Sequence, residues 1–311
     1  MAESKTILIS GLVNTETTVS VRQFPVSYYP IDYPFFGVNT AVSGVAFNLA
    51  KSLAVLGDRV RLVSMTGRDY AAGSIRRELE ELGISPEHLL PRLSQTPASA
   101  VLYAPDGRRQ IYCDLKDIQE TDYPFSSQLL EETDLVAACN INFNRPLLAM
   151  ARAAGKTIAT DVHVLTRLDD DFNRDFMVAA QILFLSDEGL GWDWKSFLYA
   201  LADTYGSQII VLGRGSKGAA LYTRASGTIL EVPAARTGPV VNTVGAGDAL
   251  FSCFLHYFAQ GHPPLEALIR AELFAACKIG VSGAAQGFVS PQQVETLYAQ
   301  QAPALFSAVR G

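Results

Sequence analysis

Short apolar segments alternate with longer amphipathic segments along most of the chain. The apolar segments contain four or five residues each and occupy positions 6–10, 60–64, 135–138, 157–160, 182–185 and 209–212. Between them, apolar residues recur with helical spacing at positions 45–56, 71–82, 146–154 and 194–205. Short buried strands separated by amphipathic helices are typical of a parallel sheet that helices cover on both faces. The pattern therefore predicts a doubly wound α/β fold.

Two other regions alternate polar and apolar residues with a period of two, as strands with one solvated face do. Residues 17–23 form the first region, and residues 99–103 form the second. The turn Pro105-Asp106-Gly107 connects the second region to residues 109–115, and Asp-Gly favours a hairpin because glycine readily adopts positive φ. We expect these strands to lie outside the main sheet. Beyond Gly245 the sequence predicts helices at 249–259, 264–281 and 292–300.

The composition indicates one domain spanning residues 1–311, because 49% of the 311 residues are hydrophobic and 18% are charged. The net charge of −6 and the scattered basic residues argue against a nucleic-acid partner. The four cysteines and four histidines show no metal-ligand spacing. No apolar run reaches the ~18 residues of a membrane-spanning helix, and the N-terminal run is too short for a signal peptide. We expect a cytoplasmic protein with no membrane partner.

The strongest chemical pattern is a glycine-rich turn, Asn242-Thr243-Val244-Gly245-Ala246-Gly247-Asp248, between an extended apolar run and an apolar helix. Gly245 and Gly247 let the backbone approach a ligand closely, and the free N–H groups of a helix's first turn favour an anion. Asp248 is a poor phosphate ligand because like charges repel, but it suits accepting a proton from an attacking hydroxyl. Taken alone, such a turn is more often an ordinary helix start.

The string from Asn242 to Leu250 resembles the D-T-T-G-A-G-D-A-F motif of the ribokinase-like (PfkB) family of carbohydrate and nucleoside kinases. The family's first Asp, second Thr and final Phe are Asn242, Val244 and Leu250 in this sequence. Residues 11–16, 43–48, 67–73, 213–218 and 283–291 resemble further family motifs in the same order. The resemblance implies a doubly wound, mostly parallel sheet with a small β-sheet lid, formed by about 12–40 and 95–118.

The resemblance also implies ATP-dependent transfer of a phosphoryl group to a hydroxyl, with Asp248 as the general base. The backbone N–H groups implied in the anion hole are those of Gly245, Ala246 and Gly247. The residues implied in binding the acceptor are Asn14, Glu16, Gly44 and Asn48, where Glu16 stands in place of the family's Asp. The residues implied in binding ATP are Ser186, Gly213, Arg214, Gly215, Gly218, Asn242 and Thr243.

Mg²⁺ is the cofactor that the resemblance implies, although the family's N-x-x-E motif is incomplete. Ser186 stands in place of its Asn and Gly189 in place of its Glu, so Glu188 is the candidate metal ligand. Asn242 stands where the family has an aspartate near a potassium site. A neutral amide holds a monovalent cation more weakly than a carboxylate does, so we expect little activation by potassium.

Residues 213–218 also fit the GxGxxG spacing of dinucleotide-binding sites, with Glu231 further along the chain. That fingerprint requires a helix directly after the glycines. Instead, positions 219–223 and 228–232 are β-like and flank the turn Ser226-Gly227, which predicts a hairpin. We therefore interpret this segment as part of the ATP site.

The acceptor is either a small sugar or the ribose of a nucleoside, because both offer adjacent hydroxyls to carboxylate and amide groups. Five aromatic residues precede the acceptor segment: Tyr28, Tyr29, Tyr33, Phe35 and Phe36. Stacking a base on such rings is worth about 1–3 kcal/mol and would favour a nucleoside. Aromatic residues more commonly pack a lid or a lid-mediated homodimer, so a sugar kinase is the first hypothesis. A protein that binds nucleotide or sugar without turnover is a third alternative, against which Asp248 counts.

Overall fold

A computed structural model describes residues 4–191 and 193–311. Its strands are β1 (Thr6–Ser10), β2 (Asn14–Ser20), β3 (Val38–Ser43), β4 (Arg59–Thr66), β5 (Leu89–Pro91), β6 (Ala98–Tyr103), β7 (Arg109–Asp114), β8 (Leu135–Ala138), β9 (Thr157–Val164), β10 (Ile182–Ser186), β11 (Ile209–Gly213), β12 (Ala219–Thr223) and β13 (Thr228–Val232). Its helices are α1 (Val45–Leu56), α2 (Tyr70–Glu81), α3 (Arg145–Ala153), α4 (Arg174–Ala179), α5 (Trp194–Tyr205), α6 (Ala246–Ala259), α7 (Pro264–Lys278) and α8 (Pro291–Ala308).

The main sheet has nine strands in the order β13-β12-β11-β10-β9-β8-β1-β4-β5. In this spatial order, every neighbouring pair from β11 across the sheet to β5 is parallel. The pairs β11–β12 and β12–β13 are antiparallel. β1 lies in the interior of this sheet, and all five of its residues are buried. That burial explains why its sequence is apolar without alternation. The topology confirms the predicted doubly wound α/β fold.

Two hydrophobic cores lie on opposite faces of the main sheet. In β1, Ile7 and Ile9 belong to one core and Leu8 belongs to the other, because successive side chains of a strand point to opposite faces. Helices α1, α2, α6, α7 and α8 contribute buried residues to the first core. Helices α3, α4 and α5 contribute buried residues to the second. Within the described residues, no helix is both long and apolar enough to cross a membrane.

The second sheet has four strands in the order β3-β2-β6-β7. β6 and β7 form the predicted hairpin, and β2 pairs with β6 in parallel. The prediction of a strand at 17–23 was wrong in its bounds, since β2 begins at Asn14 and ends at Ser20. Pairing with β3 begins at Asn14 and Ser43, so neighbouring strands rather than local alternation set the extent of β2.

Several elements differ from the sequence prediction or were missed. β3, β5 and α4 were not predicted, and the first four residues of β3 are exposed, so they carry no apolar pattern. α6 begins at Ala246, three residues earlier than predicted, which places Asp248 in its first turn. α7 ends at Lys278 instead of residue 281. The carbonyl of Ile279 accepts backbone hydrogen bonds from Val241 and Asn242 in place of a helical partner, so the helix does not extend through Ile279.

Candidate active site

The order in which the chain adds parallel strands to the main sheet reverses at β1, because β4 lies on one side of β1 and β8 on the other. Crevices at such switch points, beyond the carboxyl ends of parallel strands, are where open α/β sheets bind ligands. Cys139 follows β8 at this point, and its N–H donates to the carbonyl of Ser10, 2.9 Å away. Burial raises the pKa of Cys139, and the nearby charge of Asp248 raises it further. Asp248 therefore lies at the switch point.

Gly245 occupies the N-cap of α6 with φ 78°, in the left-handed region. A Cβ at this position would lie 2.2 Å from the carbonyl oxygen of Ala284, so the site excludes any side chain. Apart from the backbone of its own helix and its chain neighbours, no atom of the described residues lies within 4 Å of a would-be Cβ on Gly247, so the space above it is open. The backbone of residues 245–247 thus presents the N-terminus of a helix to an open cradle, which suits an anion.

Asp248 is held by a residue from a distant helix. The Nδ2 amide of Asn48 in α1 donates to Asp248 Oδ2 at 2.7 Å. Burial raises the pKa of Asp248, while the hydrogen bond from Asn48 opposes that rise because it favours the ionised carboxylate. The charge of Asp161, near the end of β9, raises the same pKa. A half-buried carboxylate with an elevated pKa is suited to accept a proton.

Asn48 contacts Asp248, the charge of Asp248 raises the pKa of Glu16, and Asn14 lies two residues before Glu16 on β2. Asn14 is buried and donates through Nδ2 to Ser99 Oγ at 2.7 Å. The Oδ1 atoms of Asn14 and Asn48 are buried and have no hydrogen-bond partner among the described residues. Glu16 accepts from Ser43 Oγ at 3.5 Å, and burial raises the pKa of Glu16. Two buried acceptors without donors indicate a site for a ligand that carries hydroxyl groups.

Gly44, the fourth predicted acceptor residue, has φ 100° at the start of α1. A Cβ there would lie 2.5 Å from the carbonyl oxygen of Leu12, so only glycine fits. The N–H of Ala46 also donates to Leu12 O at 3.1 Å. Gly44 therefore fixes the start of α1 against Leu12, in the segment that leads into β2. These contacts give Gly44 a structural role, and contact with a ligand stays a prediction.

The predicted ATP residues lie at the ends of β10 and β11 and in the loop before α6. Ser186 pairs with Gly213 at the ends of the two strands. A 3₁₀ turn begins at Gly215, and Gly218 follows its end and leads into β12. This arrangement confirms the predicted hairpin and contradicts a dinucleotide-binding helix. Asn242 Oδ1 accepts from the N–H of Val244 at 2.8 Å. These positions share the sheet edge that carries the switch point.

The side chain of Arg214 is engaged by protein groups. Its guanidinium donates to Glu231 Oε2 at 2.6 Å and lies 4.0 Å from the centre of the Trp194 ring. Glu188 is exposed, and its N–H donates to Ser186 Oγ at 3.2 Å. Across residues 4–191 and 193–311, no group of three or more His, Cys, Asp and Glu side chains is arranged to hold a metal ion.

Sequence reasoning missed three charged residues around Asp248 and the loop that precedes it. Lys278 is buried at the end of α7, and its Nζ donates to the carbonyl of Val244. Arg109 in β7 donates to Thr243 Oγ1 at 3.3 Å and so joins the small sheet to the loop before α6. Asp161 directly follows the predicted strand 157–160. Because ligand sites lie beyond the carboxyl ends of parallel strands, this position could have identified Asp161 as a site residue. Nothing local to Lys278 or Arg109 indicates their contacts, which span 34 and 134 residues.

Comparison with known proteins matches residues 29–291 to the family described as pfkB family carbohydrate kinase. Acarbose 7(IV)-phosphotransferase of Actinoplanes sp. is 25% identical over 287 residues, which cover 90% of this chain and 94% of the relative. Deoxyribokinase of Salmonella typhi is 25% identical over 301 residues, which cover 92% and 96%. The solved structure of the microbiome-derived acarbose kinase Mak1 has a TM-score of 0.85 at 23% identity, covering 96% of this chain and 99% of that one.

Proposed function

The chain belongs to the pfkB family of carbohydrate kinases, and we propose that it transfers the γ-phosphoryl group of ATP to a hydroxyl of a small sugar with Asp248 as general base. The observation that carries the proposal is the 2.7 Å hydrogen bond from Asn48 to Asp248, at the first turn of α6. It orients one carboxylate oxygen beside the helix N-terminus. Such a carboxylate takes the proton as the hydroxyl attacks the γ-phosphorus and ADP leaves, while the helix N-terminus stabilises the charge of the phosphoryl group in transfer.

The anion hole in this proposal consists of the backbone N–H groups of Gly245, Ala246 and Gly247. The Ala246 N–H donates to the carbonyl of Thr243 at 3.2 Å, so it would be shared with the ligand or turn toward it on binding. The open space at Gly247 and the left-handed backbone at Gly245 support a close approach of a phosphoryl group. Backbone donors that are already oriented stabilise the charge of the transferred group without reorganising, which is a large part of phosphoryl-transfer catalysis. ATP supplies the phosphoryl group, and Mg²⁺ neutralises phosphate charge when it is bound.

The nucleotide contacts are proposed for the turn that follows β11 and for the loop before α6. Ser186, Gly213, Gly215, Gly218, Asn242 and Thr243 are the proposed contacts. Arg214 would contribute its backbone, because its guanidinium is held by Glu231 and Trp194. Mg²⁺ prefers phosphate oxygens, water and one or two carboxylates, so the single exposed carboxylate of Glu188 fits as a ligand.

The acceptor is proposed to be a sugar, bound by Asn14, Glu16 and Asn48. The unpartnered Oδ1 atoms of Asn14 and Asn48 each accept a hydrogen bond from a sugar hydroxyl, and the Glu16 carboxylate accepts from two adjacent hydroxyls. The small sheet carries Asn14 and Glu16 on β2, so we assign it as the lid. Its closure would exclude water, which competes with the sugar for the phosphoryl group.

The aromatic residues before β3 bear on two alternatives, which are a nucleoside acceptor and a homodimer formed through the lid. Tyr28 is 88% exposed and Phe36 is 100% exposed. Rings this exposed do not line the site around Asp248, which favours a sugar over a nucleoside. Exposed aromatic rings are commonly buried in an interface with another molecule, which supports the proposal of a homodimer through the lid.

A ligand panel tests the choice of acceptor. Thermal shifts are measured with pentoses, deoxyribose, hexoses, acarbose and nucleosides, each with a non-hydrolysable ATP analogue and Mg²⁺. The proposal predicts stabilisation by at least one sugar, and a coupled assay should then detect ADP release with that sugar. Glu16→Ala should abolish the shift. Stabilisation by nucleosides alone would replace the sugar with a nucleoside as acceptor.

A further inference from the structure

Lys278 is a buried lysine whose charge the proposed chemistry does not yet use. It is the last residue of α7, and its relative exposure is 0%. Its Nζ donates to the backbone carbonyl of Val244, one residue before the N-cap of α6. An ammonium group buried away from water is costly unless anions or hydrogen-bond acceptors surround it. The position of Lys278 therefore needs a functional or structural reason.

The ammonium group of Lys278 has no direct counter-ion in the part of the chain that the structure describes. Among the described residues, no carboxylate lies within ion-pair distance of Lys278 Nζ. Burial lowers the pKa of Lys278 to about 8, and the more distant charges of Asp248 and Glu16 raise it, while Arg109 lowers it. A buried cation that has one carbonyl partner and no paired carboxylate favours an incoming anion. The anion cradle at residues 245–247 begins at the next residue after Val244.

The contact with Val244 also sets the direction of the next donor. In a planar trans peptide, the carbonyl of Val244 and the N–H of Gly245 point in opposite directions. The Gly245 N–H has no acceptor among the described residues, so it is free for a ligand. Two further hydrogen bonds tie the loop to the end of α7, because the N–H groups of Val241 and Asn242 both donate to Ile279 O, at 2.8 and 3.0 Å.

We propose that Lys278 is the built-in cation of the anion hole. Its ammonium group holds the Val244 carbonyl toward the protein interior, so that the Gly245 N–H, on the other side of the same peptide, faces the transferred phosphoryl group. It also adds positive charge on the interior side of the loop. Lys278 is thus a positioning residue rather than a catalytic one. The inference rests on the proposed function, since it takes the 245–247 loop to receive phosphate. It also explains how the loop is organised with the neutral Asn242 and without a separate monovalent cation.

Chemical rescue tests this role. The affinity for a non-hydrolysable ATP analogue with Mg²⁺ is measured by calorimetry in sodium and ammonium chloride at equal ionic strength. A hydrogen bond from a charged group is worth about 10- to 100-fold in affinity, so Lys278→Ala should bind the analogue that much more weakly in sodium. Ammonium should restore most of the affinity because it fits the vacated space. Lys278→Met fills that space with an uncharged chain, so its loss should persist in both salts.

Two outcomes overturn the inference: wild-type affinity of Lys278→Ala in sodium, or a loss that ammonium leaves unchanged. Wild-type protein supplies a measurement that does not depend on either variant folding. Its nucleotide affinity and transfer rate should be the same in sodium, potassium and ammonium, and a large gain in potassium would also overturn the inference. The binding assay needs no acceptor. A wild-type enzyme that binds nucleotide but transfers to no sugar would instead refute the proposed function.

Discussion

The amide of Asn48 donates a 2.7 Å hydrogen bond to the carboxylate of Asp248, across 200 residues of sequence. The bond joins the start of α1 to the first turn of α6, on the face of the main sheet that both helices cover. Asn48 thereby orients the proposed base and favours its ionised form. The Oδ1 atom of the same amide is buried and has no hydrogen-bond partner within residues 4–191 and 193–311, so one side chain is placed to hold both the base and the proposed acceptor.

Replacement of Asn48 should move the acid limb of the pH–rate profile. Asn48→Leu removes a donor that lowers the pKa of Asp248, so this pKa rises further and the base ionises only at higher pH. The acid limb of kcat/KM should therefore shift to higher pH. Ser52→Ala is the matched control, because Ser52 joins the same two helices through Ser252 at 2.6 Å. An equal shift in both variants would contradict the assignment.

Arg109 should contribute to turnover through the proposed lid. Its hydrogen bond to Thr243 joins β7 to the loop before α6. Loss of one side-chain hydrogen bond costs about 0.5–1.5 kcal/mol, so Arg109→Met should lower kcat/KM for the acceptor about 3- to 10-fold. Arg108→Met serves as control, since Arg108 pairs with the exposed Asp106 at 2.7 Å. An equal loss of kcat/KM in the two variants, measured by steady-state kinetics, would count against a specific role for Arg109.

The buried pair of Asp58 and His256 should stabilise the contact between α6 and the connection from α1 to β4. His256 Nδ1 lies 2.7 Å from Asp58 Oδ2, with side chains 3% and 1% exposed. Removing His256 leaves the Asp58 carboxylate buried without a hydrogen-bond partner among the described residues, which costs about 1–3 kcal/mol. We expect His256→Ala to lower the free energy of unfolding by that amount in addition to its lost packing, measured in urea. In a double-mutant cycle with Asp58→Ala, fully additive losses would show that the pair does not interact.

Glu272 should make stability depend on pH between about 4.5 and 8. Burial raises the pKa of Glu272 from 4.5 to about 8, only partly offset by the backbone N–H of Ala235. In this range the folded protein keeps a proton that the unfolded chain releases, so stability falls as pH rises. Glu272→Gln should remove that decline and raise the melting temperature relative to wild type most strongly above pH 8. The exposed Glu80→Gln should leave the pH dependence of melting unchanged.

The main sheet could be predicted because its strands carry their own signal. β1, β8, β10 and β11 are short, apolar and buried on both faces, so burial in the fold and hydrophobicity in the sequence coincide. β2 carries no such signal, since six of its seven residues are only partly buried and it depends on two neighbours for its bounds. Local pattern therefore identified the core and the β6–β7 hairpin, but it misplaced the bounds of β2 and missed β3.

The site was predictable in part for a related reason. Asp248 and the glycines before it form a continuous motif, so the sequence alone indicated their chemistry. Lys278 appeared only as a basic residue inside a predicted helix. Its role depends on a contact with Val244, 34 residues away, and on complete burial, neither of which leaves a trace in local spacing. Pairs brought together by packing become visible only in the folded chain.

The kcat of Asp248→Asn tests the central claim most directly, measured at saturating ATP with the sugar that the panel identifies. Asparagine keeps the size of the side chain but cannot take the proton, and general-base catalysis contributes roughly 10²–10⁴-fold. We expect kcat to fall by that factor, while the affinity for the ATP analogue stays equal or becomes tighter because a like charge beside the phosphates is removed. A variant that keeps near wild-type kcat would contradict the assignment of Asp248 as the base.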